Sequence, residues 1–387
     1  MGAGWCADLS PGSKRPRLLS SPWRASRALP LHQSPARSRG ACRRRQAEAL
    51  QRQWLSRLAW GPQPEQAAEI QLWLGLFPVS WQQLPDVVLL EQQIATMRQH
   101  LGGSFTSLLT AMVLDPALQL SLNGPANHRR NPNENLAREL LELFSLGEGH
   151  YSERDVREAA RALSGYRLTA EHQLVLDPRR HDPGPKTILG RTAAFDGASL
   201  AAWLAEQPAT ARHITNRLWL QRVGTPPPPQ RLAALANGWR QQQLSIPWLM
   251  QAIEASPEAI ACRQQGLRLA DPLEVVARSL RLLGSRHPNA LAISLRGLSA
   301  MGQVPFEPPS VQGWPHISQW LNLRWLQARR RTLQALLADE EVWASAQLPA
   351  ELPANLTPIP PLGLALPAAP SRATLSALFA DPVWQLA

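Results

Sequence analysis

The stretch NPNENLARELLELFSLGEGHYSERDVREAARALSGY, residues 131–166, contains two helical patterns separated by a glycine-containing turn. In residues 133–146 apolar side chains recur at three- and four-residue spacing and fill one arc of a helix, while charged side chains occupy the other. Ser152 and Asp155 have the spacing of a capping box at the start of the second helix. Because the connection is short, the stretch predicts an αα-hairpin.

Helical spacing continues along most of the chain after residue 45, and strand patterns are scarce. Short apolar runs flank a Pro/Gly turn in residues 172–190 and predict a β-hairpin. The predicted fold is all-α, a single large irregular multi-helix domain over residues 46–387 with at most one short β-hairpin near 172–190. The other predicted helices are 46–59, 86–101, 104–122, 198–222, 229–255, 271–283 and 318–337.

The formal net charge of +11 is concentrated near the start of the chain, since residues 1–57 contain twelve Lys or Arg and two acids. The remaining residues are nearly balanced, which argues against sequence-specific nucleic-acid binding. Residues 1–45 lack helical periodicity and the apolar core of a signal peptide, so we predict a disordered basic tail or a start-site artefact. No apolar run predicts a transmembrane helix, and the localisation stays open.

Several charged residues of the hairpin are candidates for a site. Glu134, Arg138 and Glu142 are spaced for i,i+4 ion pairs, and Arg161 of the second helix can meet acids of the first. Asn133 falls in the apolar arc, where a buried amide requires hydrogen-bond partners. A DNA-reading helix is disfavoured by the acids beside the arginines. A carboxylate pair for glycoside hydrolysis is a further alternative, although any acidic helix supplies such pairs by chance.

A second group of candidates lies on the following loop. His181, Asp182 and Lys186 place an imidazole, a carboxylate and an ammonium around a Pro-Gly turn, and the alternative is an ordinary turn in which Asp182 bonds the local backbone. Arginine outnumbers lysine 38 to 2, so a lysine at position 186 indicates a need for a compact ammonium. We predict that Asn133, Arg138 and Lys186 share one polar network.

These residues support two functional hypotheses. In the first, the hairpin and the 181–186 loop form a polar ligand-binding or catalytic site. In the alternative, the protein is a non-enzymatic scaffold or partner protein, and the same residues form a structural ion-pair network. The three cysteines have no metal-binding spacing, so no metal is predicted, and the sequence leaves the reaction, substrate and cofactor open.

The motifs resemble those of the bacterial family catalogued as domain of unknown function 1800. The resemblance covers about residues 50–387 and includes residues 131–166, HDPGPKTILG at 181–190, QPATARHITNRL at 207–218, MGQVPFEPPSVQGWP at 301–315 and LSALFADPVWQLA at 375–387. It implies one mainly helical domain in bacterial proteins, many of them exported, and a partner related to sulfatases and phosphatases that is often encoded nearby. The residues carried over are Asn133, Glu134, Asn135, Arg138, Glu139, Glu142, Asp155, Arg161, His181, Asp182, Lys186, Gly313 and Trp314.

The chain departs from the family pattern in two places. Where the family shows a Trp-His-Asn-His-Phe-like run, this chain has Trp73-Leu74-Gly75-Leu76-Phe77, so leucines replace both histidines. Whether that loss removes an activity is open. The family's N-terminal Phe-Gly-containing segment is not recognisable in residues 1–45. Trp314, beside Gly313, is predicted to be a packing anchor, because an indole buries a large apolar area.

Overall fold

The computed structural model describes residues 36–315 and 317–387, and Arg43–Ala387 form one compact unit. The helices before the first strand are α1 (Ala36–Trp60), α2 (Pro64–Leu76), α3 (Val88–His100), α4 (Phe105–Val113), α5 (Pro116–Ser121), α6 (Asn135–Glu142) and α7 (Glu153–Ala162). Those after the last strand are α8 (Gly197–Ala205), α9 (Pro208–Val223), α10 (Pro229–Gln241), α11 (Ile246–Glu254), α12 (Pro257–Gln265), α13 (Pro272–Leu283), α14 (Pro288–Ala300), α15 (Leu323–Ala338), α16 (Glu340–Ala344) and α17 (Arg372–Ala380). The predicted all-α class is confirmed.

The short β-structure lies between α7 and α8. Strand β1 (Tyr166–Leu168) pairs antiparallel with β2 (Leu174–Leu176), and β3 (Lys186–Ile188) pairs antiparallel with β4 (Arg191–Ala193). The segment 172–190 therefore contributes one strand to each of two small hairpins. Its two apolar runs do not pair with each other, because the first pairs with the strand before it and the second with the strand after it.

Helix α1 begins at Ala36, ten residues before the start of the predicted helix. Residues 36–45, which we assigned to the disordered tail, are therefore helical in the structure. Arginine and alanine both favour helices, so a basic segment without apolar periodicity can still extend a helix. The rest of the predicted tail, residues 1–35, lies outside the described residues, and the division into tail and domain stays a prediction.

Prolines divide several of the long helical patterns. The pattern 104–122 forms α4 and α5, and the pattern 198–222 forms α8 and α9, with Pro116 and Pro208 in the first turns of the later helices. Proline suits this position because its missing N–H would have no helical partner there. The spacing predicted helical structure in both ranges, but each proline lies at the start of a separate helix.

The N-cap of α5, Asp115, is buried within the core and accepts a 2.9 Å hydrogen bond from the Leu118 N–H. Burial raises the pKa of Asp115 to about 7. A carboxyl with a raised pKa in the folded state disfavours folding above that pKa, and the penalty disappears as the pH falls towards the unfolded-state pKa near 4.

We therefore expect Asp115→Asn to stabilise the protein by about 1–2 kcal/mol at pH 8, since Asn is also a good N-cap. The advantage should vanish near pH 4, where the carboxyl is protonated in both states. Urea unfolding of both proteins at the two pH values measures the effect. A variant less stable than the original protein at pH 8 would show that the ionised cap is needed.

One continuous core runs through the compact unit and includes the fully buried Trp54, Trp73, Trp219 and Trp239. Helix α4 packs against α8, α9 against α10, and α14 against α15. Helices α6 and α7 form the predicted hairpin, and α7 also packs against β3. None of the described helices is long and apolar enough to cross a membrane.

Candidate functional site

The predicted residues on helices α6 and α7 pair mainly with one another. Arg138 donates to both carboxylate oxygens of Glu153, at 2.8 and 2.9 Å, and to Glu134 at 3.3 Å. The Arg138 side chain is 38% exposed, so these ion pairs lie at the surface. Glu142 accepts a 2.6 Å hydrogen bond from the Tyr151 hydroxyl. These contacts are those of a surface network that joins the two helices.

Asn133 does not lie in the apolar arc of the hairpin, because α6 begins at Asn135 with Glu134 as its N-cap. The half-buried Asn133 accepts a 2.9 Å bond from the Asn135 N–H. The buried amide of this region is Asn127, which donates to the Ala160 carbonyl at 2.8 Å. The expectation of a buried Asn133 is therefore wrong, since the apolar pattern placed the helix start two residues too early.

Arg161 forms a second set of ion pairs between α7 and the following loop. Its Nε donates to Asp182 at 2.8 Å, and its Nη1 donates to Glu158 at 2.8 and 3.0 Å. The hydrogen bond from Arg161 holds the pKa of Asp182 below its ordinary value. Glu158 also accepts the Thr187 N–H at 3.1 Å, which ties α7 to β3.

Lys186 is buried, with 1% of its surface exposed. Its ammonium donates to the Asp182 carbonyl and, at 2.8 Å, to the Phe195 carbonyl, and burial lowers the pKa of Lys186. His181 lies close by, with its Nδ1 2.8 Å from the Ser164 carbonyl. A compact ammonium fits this buried position between two carbonyls better than a planar guanidinium. This gives a physical reason for a lysine here, in a chain whose basic residues are almost all arginine.

The structure thus brings Arg161, Asp182 and Lys186 together beside β3. It does not join them to Asn133 or Arg138, because no hydrogen bond or ion pair of the described residues connects the two groups. The prediction of one shared network is therefore wrong. The two clusters sit on different parts of the hairpin, and each satisfies its own charges.

A cavity of about 740 Å³ lies elsewhere, between α2, α9, α13 and the loop 309–315, and none of the eight predicted site residues lines it. The volume is typical of a small-molecule site. Among residues 36–315 and 317–387, no group of His, Cys, Asp and Glu is arranged to hold a metal ion. The charged residues that line the cavity are five arginines and two carboxylates, Arg217, Arg222, Arg268, Arg278, Arg281, Asp271 and Glu274.

Arg217 of α9 is one of the arginines that line the cavity. Its guanidinium donates to the Leu143 carbonyl at 2.9 Å and, more weakly, to the Gly75 carbonyl at 3.4 Å. It forms no ion pair with a described residue, and burial lowers the pKa of Arg217 to about 10, which leaves it charged at neutral pH. Leu143 is the C-cap of α6, whose partial negative charge stabilises a cation. The C-terminus of α6, the first helix of the αα-hairpin, therefore holds Arg217 at the cavity.

His213 lies one helical turn before Arg217 and also lines the cavity. Its Nε2 is 3.3 Å from the same Leu143 carbonyl. Burial, together with the charge of Arg217, lowers the pKa of His213 to about 4, so the imidazole is neutral at physiological pH. Gln221, one turn after Arg217, completes a stripe of polar side chains on one face of α9.

The opposite wall is the N-terminal half of α13. Glu274 pairs with Arg268 through two hydrogen bonds of 2.8 and 3.0 Å. Burial would raise the pKa of Glu274, but Arg268 outweighs that effect and holds it below the ordinary value. Asp271 caps the helix, and partial burial, together with the charge of Glu274, raises its pKa. This wall is nearly charge-balanced, whereas the Arg217 wall is cationic.

Arg278 is held in the cavity wall by the closing segment of the chain. It donates to the carbonyls of Trp384 and Leu386, the latter at 2.7 Å, and its guanidinium stacks 4.3 Å over the Trp384 ring. Burial lowers the pKa of Arg278 to about 10. The segment 375–387 thus positions a cavity residue through its backbone carbonyls and one indole ring.

Three buried polar atoms of the cavity residues have no hydrogen-bond partner among the described residues. They are the Trp314 Nε1 donor, the Arg278 Nε donor and the Gln221 Oε1 acceptor. Each of these three atoms has almost no accessible surface of its own, so none of them faces the open volume of the cavity. The indole of Trp314 also packs against Leu269 and Trp320, so the predicted anchor has a packing contact and a free donor at once.

The loop that carries Trp314 reaches the cavity through Gly313. This residue has φ +89°, and a Cβ atom built on it would lie 2.7 Å from the Gly75 carbonyl oxygen. Since the same oxygen accepts a hydrogen bond from Arg217, the close approach of two glycines fixes the loop and the arginine together.

Sequence reasoning missed the cavity residues of α9 and α13. The signal was present, because His213, Arg217 and Gln221 repeat every four residues in and just after the quoted motif 207–218. In the sequence we considered only the apolar spacing of residues 198–222, which marks the face towards the core, and not the polar side chains between those positions. Leu74 and Leu76, where the resemblance leads us to expect histidines, are buried and do not line the cavity, whereas Gly75 between them does.

No curated protein and no solved structure matches the chain. A family model for a protein of unknown function, DUF1800, matches residues 8–384. The match begins well before residue 50, so it includes most of the segment in which no family motif was recognised. With nearly its whole length matched, the chain belongs to the DUF1800 family, whose biochemical function is unknown.

Proposed function

We propose that this chain is a small-molecule-binding protein whose cavity takes an anionic ligand. The observation that carries the proposal is Arg217, a half-buried guanidinium in the cavity lining that donates only to backbone carbonyls and forms no ion pair with a described residue. Burying a cation without an anion is costly, and a carboxylate or phosphate of a ligand would offset that cost with charge-assisted hydrogen bonds.

The family motifs support this location. The end of α6 in residues 131–166 holds Arg217, the motif 207–218 supplies His213 and Arg217, and the loop 301–315 contributes Trp314. The closing segment 375–387 holds Arg278. Four separate parts of the chain thus position one cavity, which is the arrangement expected of a binding site.

The alternative hypothesis of a structural ion-pair network fits the candidate residues Glu134, Arg138, Arg161, Asp182 and Lys186. Each of them pairs with groups of the hairpin or of the β3 region. We propose that the two clusters are the rigid support of the cavity, because the Arg138 cluster fixes α6 against α7, and so fixes the Leu143 carbonyl, while the Arg161 cluster fixes α7 against the β3 region.

Two further parts of the proposal concern partners. The nearly balanced charge after residue 57 argues against specific nucleic-acid binding by the domain. The family resemblance implies a partner related to sulfatases and phosphatases, and we retain it as the proposed protein partner.

Arg217→Gln is expected to weaken the binding of citrate or inorganic phosphate at least about tenfold, since it removes a cation of the cavity lining that forms no ion pair with a described residue. The measurement is the rise in melting temperature with increasing anion concentration, at constant ionic strength set with potassium chloride. Arg222→Gln is the matched control, because Arg222 lies on the same helix and lines the cavity but pairs with Glu254.

The control should retain most of the anion response, and the original protein should show a saturable one. Equal saturable responses in Arg217→Gln and the original protein would exclude Arg217 as the anion-binding group. An identical response to potassium chloride alone would show that only general screening is at work.

A further inference from the structure

Arg281 of α13 lines the cavity and, like Arg217, donates only to backbone carbonyls. Its Nε donates to the Ala59 carbonyl at 3.1 Å, and its Nη2 donates to the Leu58 carbonyl at 2.8 Å. It forms no ion pair with a described residue, and neither does Arg278 one turn earlier. A carbonyl orients a guanidinium without neutralising its charge, so these three cations of the lining remain available to a ligand.

Arg217 and Arg281 are anchored at opposite ends of α2. The Leu58 and Ala59 carbonyls that hold Arg281 lie at the end of α1, just before α2 begins. The Gly75 carbonyl that holds Arg217 lies in the last turn of α2. Helix α2 has 13 residues, so it separates the two anchoring points by roughly 15–20 Å at about 1.5 Å per residue.

Helix α13 runs along the same length of the cavity in the opposite direction. Its last turn contains Arg281, which contacts the end of α1. Leu269, just before its first turn, packs against Trp314, and the neighbouring Gly313 lies against the Gly75 carbonyl at the other end of α2. The cavity is therefore elongated, with its long sides formed by α2 and α13 and an arginine near each end.

The two carboxylates of the lining do not neutralise these arginines. Asp271 and Glu274 lie at the start of α13, at the other end of that helix from Arg281. Glu274 is paired with Arg268, and Asp271 accepts the Glu274 N–H at 2.8 Å as the helix cap. Neither carboxylate forms an ion pair with Arg217 or Arg281 in the described part of the chain. Both acids thus have partners within the protein.

Between the two ends, apolar side chains contribute to the lining from three helices. They are Leu72 of α2, Leu220 of α9, and Leu273 and Ala277 of α13. Such a lining favours an apolar ligand segment, because burial removes that segment from water. An extended ten-carbon chain, with carbon–carbon bonds of about 1.5 Å and a charge-assisted hydrogen bond of about 2.8 Å at each end, covers a distance of the order that separates the two anchoring points.

We propose, on the basis of the proposed function above, that the ligand is an elongated molecule with an anionic group at each end and an apolar middle, of the type of a long-chain dicarboxylate. One anionic group binds Arg217, and the other binds Arg281 with Arg278 beside it. The two contacts strengthen each other when the spacer has the matching length, because the first contact sets a high effective concentration for the second.

The test compares three probes by isothermal titration calorimetry on the full chain at constant ionic strength: sebacate, ω-hydroxydecanoate and succinate. Sebacate should bind at least about tenfold more tightly than ω-hydroxydecanoate, which has the same length and one carboxylate, and than succinate, which has both carboxylates on a short spacer. If ω-hydroxydecanoate bound as tightly as sebacate, the second anionic group would be refuted and the anion site would stand. Succinate binding as tightly as sebacate would refute the elongated spacing.

Arg281→Gln tests the second end directly. It should weaken sebacate binding at least about tenfold and change ω-hydroxydecanoate binding by no more than about twofold, since Arg217 still binds the single carboxylate. Arg281→Lys keeps the charge and should retain most of the sebacate affinity. Arg286→Gln is the matched control, because Arg286 is likewise exposed and follows α13 closely but does not line the cavity.

Melting temperatures confirm that each variant is folded before binding is compared. Unchanged sebacate affinity in Arg281→Gln, or an equal loss in Arg286→Gln, would refute the inference. Failure of the proposed function would look different, because none of the three probes, nor citrate, would then bind the original protein saturably.

Discussion

Gly313→Ala is expected to lower the free energy of unfolding by about 3 kcal/mol or more. Two effects add at this position. The backbone has φ +89°, where alanine is strained, and the new Cβ would lie 2.7 Å from the Gly75 carbonyl oxygen. Neither partner can yield easily, because the clash is with backbone and not with the end of a flexible side chain. Urea unfolding at neutral pH measures the loss.

Gly149→Ala separates the two effects. Gly149 has φ +81°, but a Cβ there would meet no atom within 4 Å. This control should cost only the backbone strain, about 1 kcal/mol. If both variants lose the same stability, the contact between Gly313 and Gly75 has no energetic importance.

Gly313→Ala should also weaken citrate binding, even at temperatures where the variant is fully folded. The Gly75 carbonyl that would be displaced accepts a hydrogen bond from Arg217, so a shift of this carbonyl reorients the guanidinium. Gly149→Ala should bind citrate like the original protein. Normal citrate binding in a folded Gly313→Ala protein would separate the loop from the anion site.

The parts of the fold that depend on local spacing could be predicted from the sequence. The αα-hairpin is present, and Ser152 and Asp155 form the expected capping box at the start of α7. These features are set by residues three or four positions apart, which a sequence displays directly. Helix starts were less predictable at Asn133 and at Pro208, because capping and proline override an apolar pattern.

The cavity could not be predicted, because it is built by contacts between distant segments. Arg217 bonds to Leu143 and Gly75, which precede it by 74 and 142 residues. A sequence shows His213, Arg217 and Gln221 on one helix face but does not show that this face borders a cavity instead of core or solvent. Charge density was a poor guide, because the densest charges, on the hairpin, neutralise one another.

Lys186→Ala is expected to lower the free energy of unfolding by about 3 kcal/mol. Removing the ammonium leaves the carbonyls of Asp182 and Phe195 without their donor, and each unpaired buried group costs about 1–3 kcal/mol. The lost methylenes leave a cavity as well. Removing the buried charge also has a stabilising effect, because burial of the ammonium costs free energy, as its lowered pKa shows. We expect the loss of two charge-assisted hydrogen bonds to outweigh this gain.

Arg138→Ala is the matched control, because Arg138 is also a paired cation of the hairpin region but is 38% exposed. Exposed ion pairs contribute little, so this variant should lose less than about 1 kcal/mol. Lys186→Arg should also destabilise the protein, since a planar guanidinium does not fit a position with 1% exposure. If Lys186→Ala proved as stable as the original protein, the ammonium would have no structural role, and a functional role at β3 would have to replace the supporting network proposed here.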